Sequence, residues 1–117
     1  MKIPVFVSSP TLLNINQEAS MKIVLEAINR FELEPRTLGR SDYPTELPLR
    51  EVYVISKHCA GGIILGFEQF ETSSGTWKRG TNKEYAVDVG STVKFPTPWN
   101  HLESGILYSL GLPTLVF

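Results

Sequence analysis

The sequence is short of the residues that carry most metal and redox chemistry. It has one cysteine, Cys59, and two histidines, His58 and His101. A lone thiol makes no intrachain disulfide, and no Cys/His set has the spacing of a zinc site. No metal or cofactor is therefore expected, and a reducing, cytoplasmic setting fits best. Long hydrophobic runs are missing as well. The opening "MKIPVFVSSP" holds an apolar run from residue 3 to residue 7, below the seven or so residues of a signal-peptide core, and nothing approaches a membrane span of about 20. A soluble, non-exported protein with no membrane partner is the expectation. Charge of one sign is lacking too: 11 Lys and Arg stand against 12 Asp and Glu, a formal net charge of −1. Such a balance gives no basic stripe, so a nucleic-acid polymer is not an expected partner.

What the chain does contain is ordinary for a globular protein: 117 residues, 42% hydrophobic and 20% charged. That is one domain, residues 1–117, with enough chain for a core of its own. Residues 3–7, "IPVFV", read as a strand delivered into the loop "SSP". Met21, Val24, Ala27, Ile28 and Phe31 recur at helical spacing, so a helix over 16–32 is predicted, with Asn14 or Asn16 as its cap. "EPRTLGRSDYP" offers a brief strand at about 35–38 and then a polar loop. Pro48 suits a first helical turn, and Leu49, Val52, Ile55 and Cys59 share a face, giving a second helix over 48–58. "GGIILGF" is uniformly apolar, as a central parallel strand covered on both sides must be.

Residues 68–95 break this rhythm and read as an insertion, with a β-hairpin whose two short runs flank Val-Gly-Ser. Thr97 and Pro98 then open a third helix over 98–110, with Trp99, Leu102, Ile106 and Leu110 as its apolar stripe and Gly111 as its stop. "PTLVF" is predicted to be a final buried strand. Alternating strands and helices with short connections imply an α/β fold with an open parallel sheet. Right-handed crossovers favour the flavodoxin-like order 2-1-3-4. The last strand would lie at the sheet edge, either covered by a partner or belonging to something longer.

In such a sheet ligands bind beyond the carboxyl ends of the strands. "SSP", "GRSDYP" and "GFEQF" end there, and the start of the third helix joins them if the insertion returns to the same rim. Ser8, Ser9, Arg40, Asp42, Glu68, Trp99, Asn100 and Glu103 are thereby candidates for one pocket.

"VFVSSP", the apolar strand leading to "GFEQ" and above all "PWNHLESGILYSLGLPTLVF" resemble the group that joins nucleoside 2-deoxyribosyltransferases with TIR-type domains. In the transferases a helical Glu-x-Gly, then Leu-Gly-Lys-Pro and an apolar strand, carries the nucleophilic glutamate. Here the pattern is Glu103, Gly105, Leu110, Gly111, Leu112, Pro113, with Leu112 where the family often has Lys. In TIR domains a Trp four residues before a helical glutamate belongs to the nucleotide-cleaving site, the spacing of Trp99 and Glu103. The transferases usually carry an acid just beyond the third strand to hold the sugar, and Glu68 would substitute with a longer arm.

The resemblance implies cleavage of an N-glycosidic bond in a nucleoside, a nucleotide or an NAD-like molecule. An oxocarbenium-like transition state needs a carboxylate to stabilise or trap it. Glu103 would be that catalytic group and Trp99 a wall stacking on the base. Ser8, Ser9, Pro10, Asn100, Arg40, Asp42, Phe67 and Glu68 would complete the substrate site. Plainer roles stand beside these. A carboxylate in the first turns of a helix gains about 0.3–1 kcal/mol from the dipole; Trp99 closes a core; the serines cap or turn; Arg40 and Asp42 form a solvated loop. Two further readings follow: a nucleotide-binding sensor without turnover, and a TIR-like module that assembles through the last strand or the hairpin as a homo-oligomer.

Overall fold

The computed structural model describes residues 1–37 and 48–117. Four parallel strands, β1 (Ile3–Ser8), β2 (Leu33–Arg36), β3 (Gly62–Ile64) and the C-terminal Thr114–Val116, form one sheet. Helices α1 (Ile15–Arg30), α2 (Pro48–Lys57) and α3 (Pro98–Ser109) connect them. Between β3 and α3 lie four short strands, β4 (Phe70–Thr72), β5 (Thr76–Trp77), β6 (Tyr85–Ala86) and β7 (Val93–Phe95), so the last sheet strand is β8. The sheet order is β2-β1-β3-β8. This is the 2-1-3-4 order expected of the four parallel strands.

Strand β1 occupies the centre because its sequence tolerates cover on both faces: Val5, Phe6, Val7 and Ser8 are all buried. Alternation sends Val5 and Val7 into a cluster with Met21, Ile28 and Leu65 on the α1 side, and Phe6 into a second cluster with Val52, Ile55, Cys59, Ile64 and Leu107 on the α2 and α3 side. Ser8, two residues after Phe6, faces the same way as Phe6. Each fully buried large side chain in these clusters contributes about 1.5–3 kcal/mol.

Strand β2 begins two residues before its predicted position and contains Pro35. A proline fits there because β2 is an edge strand, where a missing N–H leaves no gap in the ladder. Gly62 marks a close approach of α3 to the sheet, since a Cβ there would stand 2.3 Å from Leu107 Cδ1. Gly111, at φ 69°, ends α3 in the left-handed conformation that a glycine adopts without strain.

Two features differ from the sequence reading. The runs on either side of Val89-Gly90-Ser91 do not pair with each other. Tyr85 pairs with Trp77 and Ala86 with Thr76, while Phe95 pairs with Phe70 and Val93 with Thr72. The insertion is thus a longer ribbon of two successive antiparallel ladders. No residue from 68 to 95 is buried, and the molecule measures 54 × 29 × 27 Å, so the ribbon is an arm on a compact body. The second difference is β8. It was expected to be buried, yet Leu115, Val116 and Phe117 are exposed, because β8 is an edge strand with β3 as its sheet neighbour.

Candidate functional site

The carboxyl ends of β1 and β3 create a local demand for hydrogen-bond donors that the third helix meets. Thr97 caps α3 through a reciprocal capping box with Asn100. The Asn100 N–H donates to Thr97 Oγ1 at 3.3 Å, and the Thr97 N–H donates to Asn100 Oδ1 at 3.4 Å. This fixes which end of the Asn100 amide points inward. Its Nδ2 donates to Ser8 Oγ at 2.8 Å and to the Leu65 carbonyl at 3.3 Å. Ser8 is fully buried, and its own carbonyl accepts from the Leu65 N–H at 2.8 Å. One side chain from the helix thereby ties together the ends of two neighbouring strands.

Glu103 follows Asn100 by one turn and falls on the same helix face, with only 7% of its surface exposed. Desolvation pushes its carboxyl from 4.5 up to about 7, and a hydrogen bond with the Ser8 hydroxyl offsets part of that rise. Since the Asn100 amide already donates to Ser8 Oγ, the serine proton is free to go to the carboxylate. Asn100, Ser8 and Glu103 thus form one polar cluster at the rim where β1 and β3 end.

The buried residues of α3 are Asn100, Glu103 and Leu107, which corrects the first half of the apolar stripe read from the sequence, while Ile106 of that stripe packs against the core. Trp99 and Leu102 are exposed. The two residues whose spacing drew attention have separated: the Glu103 acid is inside, while the Trp99 ring is 45% exposed. Burying polar groups here is tolerated because strand ends present unsatisfied acceptors, and an amide meets them where a leucine could not.

The other candidates are distributed around this centre. Ser9 is half-buried and its hydroxyl donates to the Pro10 carbonyl at 3.1 Å, while Pro10 is buried. Phe67 and Glu68 line a cavity of about 460 Å³ with Asn14, Asn16, Gln17, Ser20 and Gly66. That cavity joins the loop after β3 to the start of α1. The Gln17 side chain fastens it by donating from Nε2 to the Glu68 carbonyl at 2.9 Å. Glu68 itself is exposed and pairs with Lys94 at 3.1 Å. Arg40 and Asp42 lie outside the described residues.

The structure thus joins Ser8 and Asn100 by a hydrogen bond, sets the Glu103 carboxyl close enough for Ser8 to influence it, and puts Phe67 and Glu68 in a cavity that neither Ser8 nor Glu103 lines. Sequence reasoning considered Asn14 and Asn16 only as caps and did not consider Gln17 or Ser20. The available signal was topological: a helix that starts after a strand's carboxyl end begins at the ligand-facing rim. Among the described residues no group of three or more metal-ligating side chains occurs, and no helix is long and apolar enough to cross a membrane. No protein-family model matches the chain, and no curated protein shows significant similarity to it.

Proposed function

We propose that this chain adopts a flavodoxin-like variant of the open parallel sheet and acts on the N-glycosidic bond of a nucleoside, nucleotide or NAD-like molecule, with Glu103 as the catalytic carboxylate. The observation that carries this reading is the cluster of Asn100, Ser8 and Glu103 at the strand ends, with a buried acid whose pKa is raised and which has no ion-pair partner among the described residues. Buried acids with pKa values moved toward neutrality are the groups that enzymes use for acid, base and nucleophilic work.

In the reaction, the bond from the anomeric carbon to the base nitrogen breaks and its electron pair leaves with the base, which takes up a proton. The ionised Glu103 stabilises the oxocarbenium-like centre or forms a bond to the anomeric carbon. Attack by water or by a second base at that carbon releases the sugar product and restores the carboxylate. Ser8 holds the carboxyl in one orientation, and Asn100 holds Ser8. In this reading the exposed Trp99 ring offers a surface on which a base stacks, and Phe67 and Glu68 contact a part of the substrate that extends toward α1.

The test is a panel of deoxynucleosides, nucleoside monophosphates and NAD, with released base measured by chromatography. Release by the parent protein that falls to background in Glu103→Gln, with the fold retained, supports the proposal. No release from any substrate overturns it. A second reading is a nucleotide-binding sensor or TIR-like assembly module. It is favoured by the open edge of β8, and it predicts ligand-induced thermal stabilisation, or concentration-dependent association, without base release.

A further inference from the structure

The arm carries chemistry that the proposed site does not use. Within each ladder, directly paired residues project to the same side, so Phe70 and Phe95 share a face, as do Trp77 and Tyr85. The two pairs are brought together by ring contacts. Trp77 stacks on Tyr85 at 6.2 Å between centroids and 23° between planes, and meets the edge of Phe95 at 6.0 Å. All four rings are exposed. A shallow cavity of about 170 Å³ opens beside them, lined by Trp77, Phe95, Val87, Val93 and Thr72 among others. The opposite face of the β4–β7 ladder carries the Glu71 and Lys94 pair, so the aromatic stripe is one-sided.

Beyond the stacked pair, the turn joining β5 to β6 presents Lys78, Arg79 and Lys83, all exposed and none with a salt-bridge partner among the described residues. The one acid of this turn, Glu84, is bent back to accept the Gly80 N–H at 3.0 Å. The whole-chain charge of −1 hides this concentration of cations. In a molecule 54 Å long, screening within about 8–10 Å makes the field at the tip a local matter.

We propose that the aromatic face of the arm binds single-stranded nucleic acid, with bases stacked on Trp77, Tyr85 and Phe95 and phosphates held by Lys78, Arg79 and Lys83. Flat rings alone would suit many apolar partners. Rings on a hairpin whose turn carries three cations suit a polyanion that offers a stacking face at every repeat. This revises the expectation, drawn from net charge, that a nucleic-acid polymer is not a partner.

The experiment is fluorescence anisotropy with labelled oligothymidylate and oligouridylate of about 12 nucleotides, a length suited to a single binding module, titrated between about 50 and about 200 mM salt. Trp77→Ala with Tyr85→Ala is expected to weaken binding by about tenfold or more. Trp77→Phe with Tyr85→Phe keeps the stacking surfaces and retains most of it. Replacing Lys78, Arg79 and Lys83 by Gln lowers the slope of log K against log salt by about 2. Base release at Glu103 is expected to be unchanged in all three variants. The proposal is overturned if the parent protein does not bind at low salt, if the double alanine variant binds as tightly as the parent, or if a duplex of the same length binds equally well. Sedimentation showing a dimer that the alanine variant abolishes and oligonucleotide leaves intact would assign the face to a second copy instead.

Discussion

Glu103 has been moved out of water by the packing of α3 onto the strand ends, and the sign of the consequence follows from its protons. The native carboxyl titrates at about 7 rather than 4.5. Between those values the folded protein keeps a proton that the unfolded chain has released, so stability falls as pH rises through this window and is level on either side. Glu103→Gln removes the penalty: in urea unfolding at about pH 8 it should be more stable than the parent by up to about 3 kcal/mol, the gap closing toward pH 4. The same titration predicts that base release, which needs the ionised acid, climbs with pH and levels off above about 7. Asn100→Ala should act oppositely on stability. It strips a donor from both Ser8 Oγ and the Leu65 carbonyl and is expected to cost about 1–3 kcal/mol in chemical denaturation.

At the scale of elements, α3 meets the sheet closely where Leu107 packs over Gly62. Gly62→Ala drives a methyl into a buried leucine and should destabilise by about 1–3 kcal/mol. Adding Leu107→Ala makes room for it, so the double variant should be less destabilised than the sum of the two singles, a non-additivity that thermal melts of the four proteins would measure. Element positions were legible where one rule dominated. Asn14 and Thr97 cap the helices as their side chains suggest, and β1, with its apolar run from Ile3 to Val7, is central. The inward face of α3 was legible only in part: strand order pointed to Asn100 and Glu103, but periodicity follows hydrophobicity and put Trp99 and Leu102 inside, where the strand ends required an amide. The ladders of the arm were missed for a different reason: a turn signal at Gly90 is local, whereas Phe70 finds Phe95 across the whole insertion. Likewise the meeting of Ser8 with Glu103 was readable from strand order, while the cavity beside Gln17 depended on side chains that local rules explain as caps.

For the whole molecule, the two hydrophobic clusters lie in the sheet and helices, and neither draws a residue from 70–95. The arm and the body should therefore open with different free energies. Amide exchange is expected to be slowest in β1 and β3 and fastest in β5 and β6. Brief trypsin treatment should cut after Lys78, Arg79 or Lys83 before it cuts in the described helices α1 and α2. A cut at Lys22 in α1 ahead of these would mean the stability is distributed otherwise.

Between the last strand of the arm and the first turn of α3 there are two residues, Pro96 and Thr97. One is a ring-locked hinge pin and the other is the helix cap. With so short a connection, the backbone torsions of Pro96 and Thr97 set both where the second ladder of the arm ends and where the capping turn of α3, with Asn100, begins.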